Sequence, residues 1–151
     1  MSSGKDHARA SKFLALPVAV ASFAVVDDPV LALGAVLGCG IVGQVLSPDL
    51  DQSDLTRSDW LVLKRAGVFG GLWLAWLYPY AVAIPHRHPL SHAPVVGTVG
   101  RVLYVTLPFL VGARLLDWSP VIPAVVVRLL VGVFFGLLIS DVAHWAMDQK
   151  H

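Results

Sequence analysis

Val68-Phe69-Gly70-Gly71-Leu72-Trp73-Leu74-Ala75-Trp76-Leu77-Tyr78-Pro79-Tyr80-Ala81-Val82-Ala83-Ile84 is the stretch on which the fold of this chain turns. It is the third of five apolar runs, the others covering 13–26, 30–46, 100–116 and 121–139. If every run crossed a membrane, the polar segment after the second run and the one before the fourth would face opposite sides. If the third run lies in the interface, the two segments share a side. Its rings, Phe69, Trp73, Trp76, Tyr78 and Tyr80, favour the interface, where such side chains are enriched, and Pro79 interrupts it. The expectation is an all-α membrane protein: two transmembrane helical hairpins, making four spans, plus an interfacial Trp/Tyr-rich helix, in a single domain over residues 1–151.

Composition points the same way. Of 151 residues, 56% are hydrophobic and 14% charged, and the mean hydropathy is +0.72. Soluble domains carry about 25% charged residues. A net charge of +1 gives no basic stripe, so a nucleic-acid partner is not expected. Cys39 is the one cysteine and lies in an apolar run, which leaves no disulfide framework and no thiolate cluster. Lys5, Arg9, Lys12, Arg57, Lys64, Arg65, Arg87 and Lys150 fall on the shared side, whereas the tight turns hold Asp27, Asp28 and Asp117. The positive-inside bias then makes the shared side cytoplasmic. The chain reads as a multi-pass protein of a bacterial inner membrane with both termini in the cytoplasm. A secretory signal at the start is the weaker reading, because a second apolar run follows almost at once with no clean small-residue cleavage site.

Metal-type ligands gather on that side. Pro48 ends the second run and favours extended backbone before it, and Asp49 and Asp51, two residues apart, then project to one side of an extended segment. On a helix, Asp141, His144 and Asp148 lie within about 60° of one another, a usual arrangement for ligands from one helix. His86 and His92 flank a turn at Pro89 and can converge, with His86 and His88 competing for the first position. His7 stands just before the first run. Ionisable residues in so charge-poor a chain are costly unless paired or functional, and four such segments at one face point to a carboxylate/imidazole metal centre. Arg101, Arg114 and Arg128 lie inside apolar runs: Arg101 snorkels or holds an anionic substrate, and Arg128 pairs with a partner or a lipid phosphate. Gly38-Cys39-Gly40-Ile41-Val42-Gly43 has the spacing of a phosphate-binding loop but sits in an apolar helix, where close helix packing explains the glycines better.

Ser3-Gly4-Lys5-Asp6-His7, Ser47-Pro48-Asp49-Leu50-Asp51, Pro85-His86-Arg87 with Leu90-Ser91-His92, and Asp141-Val142-Ala143-His144 with Asp148 resemble the successive motifs of a family of bacterial and cyanobacterial metal-binding membrane proteins. That family is similar in turn to the YdjM-like inner-membrane metal-dependent hydrolases, and more distantly to zinc-dependent phospholipase C and single-strand nucleases. The resemblance implies a centre built from His7, Asp49, Asp51, His86, His92, His144 and Asp148, with Asp141 close by. Seven N/O ligands exceed what one tetrahedral zinc uses, so two metals fit. Zn is favoured, with Mn or Fe also suited to such ligands.

Two functions follow. In the first, the protein is a metal-dependent hydrolase acting on a phosphoester of a lipid or other amphiphile, with Asp141 or Asp51 as general base and Arg87 or Arg101 contacting phosphate. In the second, the metal is structural or cargo, and the protein is a membrane adaptor or a subunit of a larger assembly.

Overall fold

A computed structural model describes residues 13–14, 17–18, 20–25, 27–51, 57–85 and 88–149. These residues are helical with connecting turns, and no β-strand occurs among them. The elements that position the site are α1, Pro29–Val45, α2, Arg57–Ala66, α3, Val68–Ala83, α4, Pro89–His92, α5, Pro94–Leu115, and α6, Ala124–Asp148.

The sequence states where α1 begins. Asp28 is extended, and its carboxylate accepts the backbone N–H groups of Val30 at 2.9 Å and Leu31 at 3.2 Å. Pro29 follows at the first helical position, where its missing N–H costs nothing. The bond from Leu31, then that from Val30 and the Arg128 guanidinium, hold the Asp28 carboxyl below the usual carboxylate range. Gly38–Val42 form a π turn inside α1, a wide turn with i→i+5 bonds that resets which face the following residues present. Beyond it, Gly43 lies against Ser140: a Cβ there would stand 2.7 Å from the Ser140 Oγ. A short 3₁₀ turn, Pro48–Asp51, closes this part of the chain.

α1 and α6 run parallel and in contact. Gly34 meets Leu129 and Gly132, Gly38 meets Val133, and Gly136 meets Ala35 and Cys39, so a methyl group at any of these glycines would run into the opposite backbone. Small residues let two helix backbones approach this closely. Arg128 near the start of α6 bonds Asp28 at 3.1 Å, which fixes the same register at one end of the pair. The parallel register is what carries the Pro48–Asp51 turn to the last turns of α6.

α5 ends where Asp117 adopts φ 53°. The Trp118 N–H reaches Ala113 O at 2.8 Å and the Asp117 N–H reaches Arg114 O at 3.3 Å, the bonding pattern of a left-handed helix terminus. The chain then reverses into α6, whose far end lies beside the start of α5.

The third apolar run forms a helix that packs on α5. Gly67, at φ 54°, reverses the chain between α2 and α3, a conformation that favours glycine. α3 then runs beside α5 and antiparallel to it: Tyr80 stacks on Tyr104 at 5.3 Å, while Trp76 meets both Tyr104 at 6.2 Å and Phe109 at 6.4 Å. The Tyr104 hydroxyl donates to Trp76 O at 2.7 Å. Two of the rings expected at an interface, Trp76 and Tyr80, thus contact a neighbouring helix. Phe69 and Tyr78 are exposed. The α2–α3 excursion returns the chain to the end it left, so the loops at Asp49 and His92 meet at one end of the bundle.

The expectation of four full spans is corrected: among the described residues two helices, α5 and α6, have sufficient length and apolarity, and α1 and α3 are apolar but shorter. At 1.5 Å per residue, their 22 and 25 residues extend about 33 and 37 Å, against a hydrocarbon core of about 30 Å.

Candidate metal centre

Three elements deliver the site. The Pro48–Asp51 turn supplies Asp49, α4 supplies His92, and the last turns of α6 supply His144 and Asp148. His144 Nε2 stands 3.3 Å from Asp148 Oδ2, one turn further along the same helix, and 3.5 Å from Asp49 Oδ1. His92 Nε2 lies 4.0 Å from Asp148 Oδ2. The two imidazoles meet edge to face, with centroids 5.7 Å apart and planes at 71°. One donor atom from each of Asp49, His92 and His144 lies within 4.8 Å of the others.

These contacts are looser than the usual hydrogen-bond distance and bring four potential metal donors to one place. Two ligands about 2.0–2.2 Å from a common ion at a tetrahedral angle stand about 3.3–3.6 Å apart. The 3.3 and 3.5 Å spacings match that edge directly, and the 4.0 Å spacing needs a slight inward rotation of His92. Charge agrees as well: two carboxylates and two neutral imidazoles carry two negative charges, which a divalent cation balances. The residues present thus fit a metal ion in spacing, chemistry and charge.

Behind the cluster lies a buried ion pair. Asp141 and Arg101 side chains are 1% and 3% exposed and bonded to each other. The Thr98 hydroxyl donates to the same Asp141 oxygen. Arg101 Nη1 donates to the backbone carbonyl of Ser91 at 2.7 Å. Burying an arginine and an aspartate is unfavourable unless each is paired and hydrogen-bonded, and this arrangement provides both. α6 places Asp141 three residues before His144, and the apolar face of α5 places Thr98 and Arg101 one turn apart, so the pair bridges the two long helices.

Of the residues expected at the site, the structure brings Asp49, His92, His144 and Asp148 together. The Asp141 carboxylate is engaged by α5, and the Arg101 guanidinium by Asp141 and Ser91. Asp51 belongs to the 3₁₀ turn by its backbone; its side chain, His7, His86 and Arg87 lie outside the described residues. The exposed His88 ring accepts the Leu90 N–H on Nδ1 at 3.2 Å and so caps α4. Arg128, read as pairing with a partner or a lipid, pairs with Asp28. Ser91 entered the sequence reading only as part of the Leu90-Ser91-His92 motif, with no role given, and Thr98 not at all; the available signal was a polar side chain one turn from Arg101 on an apolar helix and another beside His92.

A family model described as "Uncharacterized metal-binding protein (DUF2227)" matches residues 2–151. The chain belongs to this family of metal-binding proteins. No curated protein and no solved structure matches the chain, and the wider likeness to YdjM-like hydrolases and phospholipase C receives no support from the match, which concerns metal binding alone.

Proposed function

We propose that this protein is a membrane-embedded metal-binding protein that holds a divalent cation, Zn before Mn or Fe, at one end of its helix bundle through Asp49, His92, His144 and Asp148. The observation that supports this most is the convergence of four N/O donors from three separate segments at spacings that suit a shared ion. Membrane embedding draws on the two helices long enough to cross and on their exposed apolar faces, Leu103, Leu107, Leu110 and Val111 on α5 and Leu130, Val131, Phe135 and Ile139 on α6. Contiguous apolar surface of this kind marks a lipid or protein contact. The charge bias of the loops favours a multi-pass arrangement in a bacterial inner membrane with the site on the cytoplasmic side. His7, Asp51 and His86 are the candidates to complete the set, and with them a second ion.

A hydrolytic reading has one feature in its favour. The Asp49 and Asp148 side chains are 19% and 17% exposed, against 6% for His144, so solvent reaches the carboxylate side of the cluster while the imidazole side is closed. A bound divalent ion would supply an activated water and polarise a phosphoryl oxygen there. His92 and His144 would orient it, Asp51 is the remaining candidate base, and Arg87 the candidate phosphate contact. Asp141, held by Arg101 and Thr98, fits the orientation of the imidazole helix better than proton transfer. The substrate class would be a phosphoester of a lipid or another amphiphile.

Elemental analysis of the purified full chain, with a phosphomonoesterase and phosphodiesterase screen on the same preparation, tests both readings. At least one equivalent of divalent metal per chain is expected. Hydrolysis that requires the metal supports the enzyme; bound metal with no turnover assigns the non-catalytic role, and a metal-free chain that resists reloading overturns the proposal.

A further inference from the structure

The turn that presents His92 places a buried hydroxyl against its imidazole. Ser91 is 1% exposed. Its hydroxyl donates to the His88 backbone carbonyl at 3.0 Å and lies 2.9 Å from His92 Nδ1. A serine hydroxyl has one hydrogen and a carbonyl oxygen can only accept. The His88 carbonyl also accepts the Ser91 and His92 N–H groups; where the hydroxyl hydrogen is directed at His88 O as well, the contact to His92 is made by an Nδ1–H donor, and Ser91 Oγ is its acceptor. The imidazole proton then sits on Nδ1, and the lone pair on Nε2, the nitrogen that faces Asp148.

Ser91 is itself held from behind. Arg101 grips its backbone carbonyl with one guanidinium nitrogen and Asp141 with another. The close approach of Gly97 to the Ser91 carbonyl leaves no room for a side chain at 97, which keeps that carbonyl within reach of Arg101 one turn further along α5. The same ion pair therefore ties the His92 turn to α6, three residues before His144.

We propose that Ser91 is a positioning residue of the metal centre: it locks His92 in the Nδ1–H tautomer so that Nε2 is presented to the ion, with the Arg101–Asp141 pair as its anchor. This rests on the metal-binding reading of Asp49, His92, His144 and Asp148. Partners that orient a ligating imidazole typically change metal affinity 10–100-fold when removed. A purely structural Ser91 would affect folding and leave the tautomer unchanged, so the tautomer is the deciding readout.

The test uses the full chain in detergent, labelled with ¹⁵N-histidine, and Zn²⁺ as the probe. In the wild type, His92 should carry its proton on Nδ1 before Zn²⁺ is added and bind through Nε2 afterwards. Ser91→Ala should lower Zn²⁺ affinity about 10–100-fold and lose the single tautomer, with the metal-free thermal midpoint within a few degrees of wild type. Ser91→Thr, which keeps the hydroxyl, should restore both. A wild-type His92 protonated on Nε2 overturns the inference even where Ser91→Ala does not fold, and so does a Ser91→Ala chain that binds Zn²⁺ as tightly as wild type. A wild-type chain that binds no Zn²⁺ overturns the metal reading, and this role with it.

Discussion

The parallel pair of α1 and α6 ends in an aspartate–arginine contact at one extremity and in the donor cluster, backed by a second aspartate–arginine contact, at the other. At the first, Asp28 and Arg128 side chains are 21% and 52% exposed, and Asp28 also accepts two backbone N–H groups at the start of α1. The carboxylate is neutralised locally. At the other end, Asp141 and Arg101 are almost fully buried and paired through one carboxylate oxygen, while Asp49 and Asp148 converge on two imidazoles. The same residue types serve different ends: the exposed pair registers two helices, the buried pair braces a site whose remaining negative charge matches an added cation.

The largest effect expected from this contrast is on stability. Asp141→Ala leaves the Arg101 guanidinium buried without its counter-charge, and breaking a buried pair this way costs about 3–5 kcal/mol. Denaturant unfolding of the purified chain should show that loss, whereas Arg128→Ala should shift the midpoint far less because solvent screens the exposed pair. Equal losses at the two positions would erase the distinction between the ends.

Metal affinity should divide the same two regions without unfolding the chain. His144→Ala removes the nitrogen shared by both short donor spacings and should abolish stoichiometric Zn²⁺ binding in equilibrium dialysis, and Asp148→Asn should weaken it. His88→Ala and Arg128→Ala should leave it unchanged, since the His88 Nδ1 caps α4 and Arg128 lies at the far end. A His88 variant that loses Zn²⁺ would relocate the centre within the histidine loop.

Acid should loosen the far end by a titration with a defined sign. The Asp28 carboxyl titrates below the ordinary carboxylate value of 3.8, chiefly because it accepts the Leu31 N–H. A group with a lowered folded pKa contributes stability above its unfolded pKa and loses it as pH falls through the folded one. Asp28→Asn keeps the cap and removes the titration. The stability gap between wild type and this variant should therefore shrink as pH drops through and below 3.8, in a melting series with pH, and stay flat above it.

Much of this candidate site was legible in the sequence because its donor side chains sit in polar segments that interrupt apolar runs. Asp49 after Pro48, His92 after Pro89, and the His144/Asp148 spacing each announce a donor beside a helix end, and an even number of passes along the bundle between Asp49 and His92 was required for them to meet. The way that number is achieved was not legible. The third run reads as an interfacial helix because its rings suit a membrane surface, yet Trp76 and Tyr80 pack on α5 after the reversal at Gly67, and ring composition alone cannot separate a helix–helix seam from an interface. The Arg101–Asp141 pair was half visible: each residue stands out in an apolar helix and demands a partner, but the pairing across 40 residues depends on the register of α5 against α6, which neither apolar sequence specifies. The π turn in α1 left no signature beyond its glycines.

The smallest expected effect lies at the α5 terminus. Asp117 holds a left-handed conformation that glycine adopts without steric cost, so Asp117→Gly should stabilise the chain by about 0.5–1 kcal/mol, read as a small rise in the thermal midpoint with metal binding unaltered.

X-ray absorption at the zinc edge of the Zn²⁺-loaded chain tests the central claim most directly. The account predicts a shell of nitrogen and oxygen neighbours only, at about 2.0–2.2 Å, with outer-shell scattering from at least two imidazoles and one imidazole fewer in any Zn²⁺ that His144→Ala retains. A sulfur neighbour, or an imidazole count that His144→Ala leaves unchanged, would contradict it.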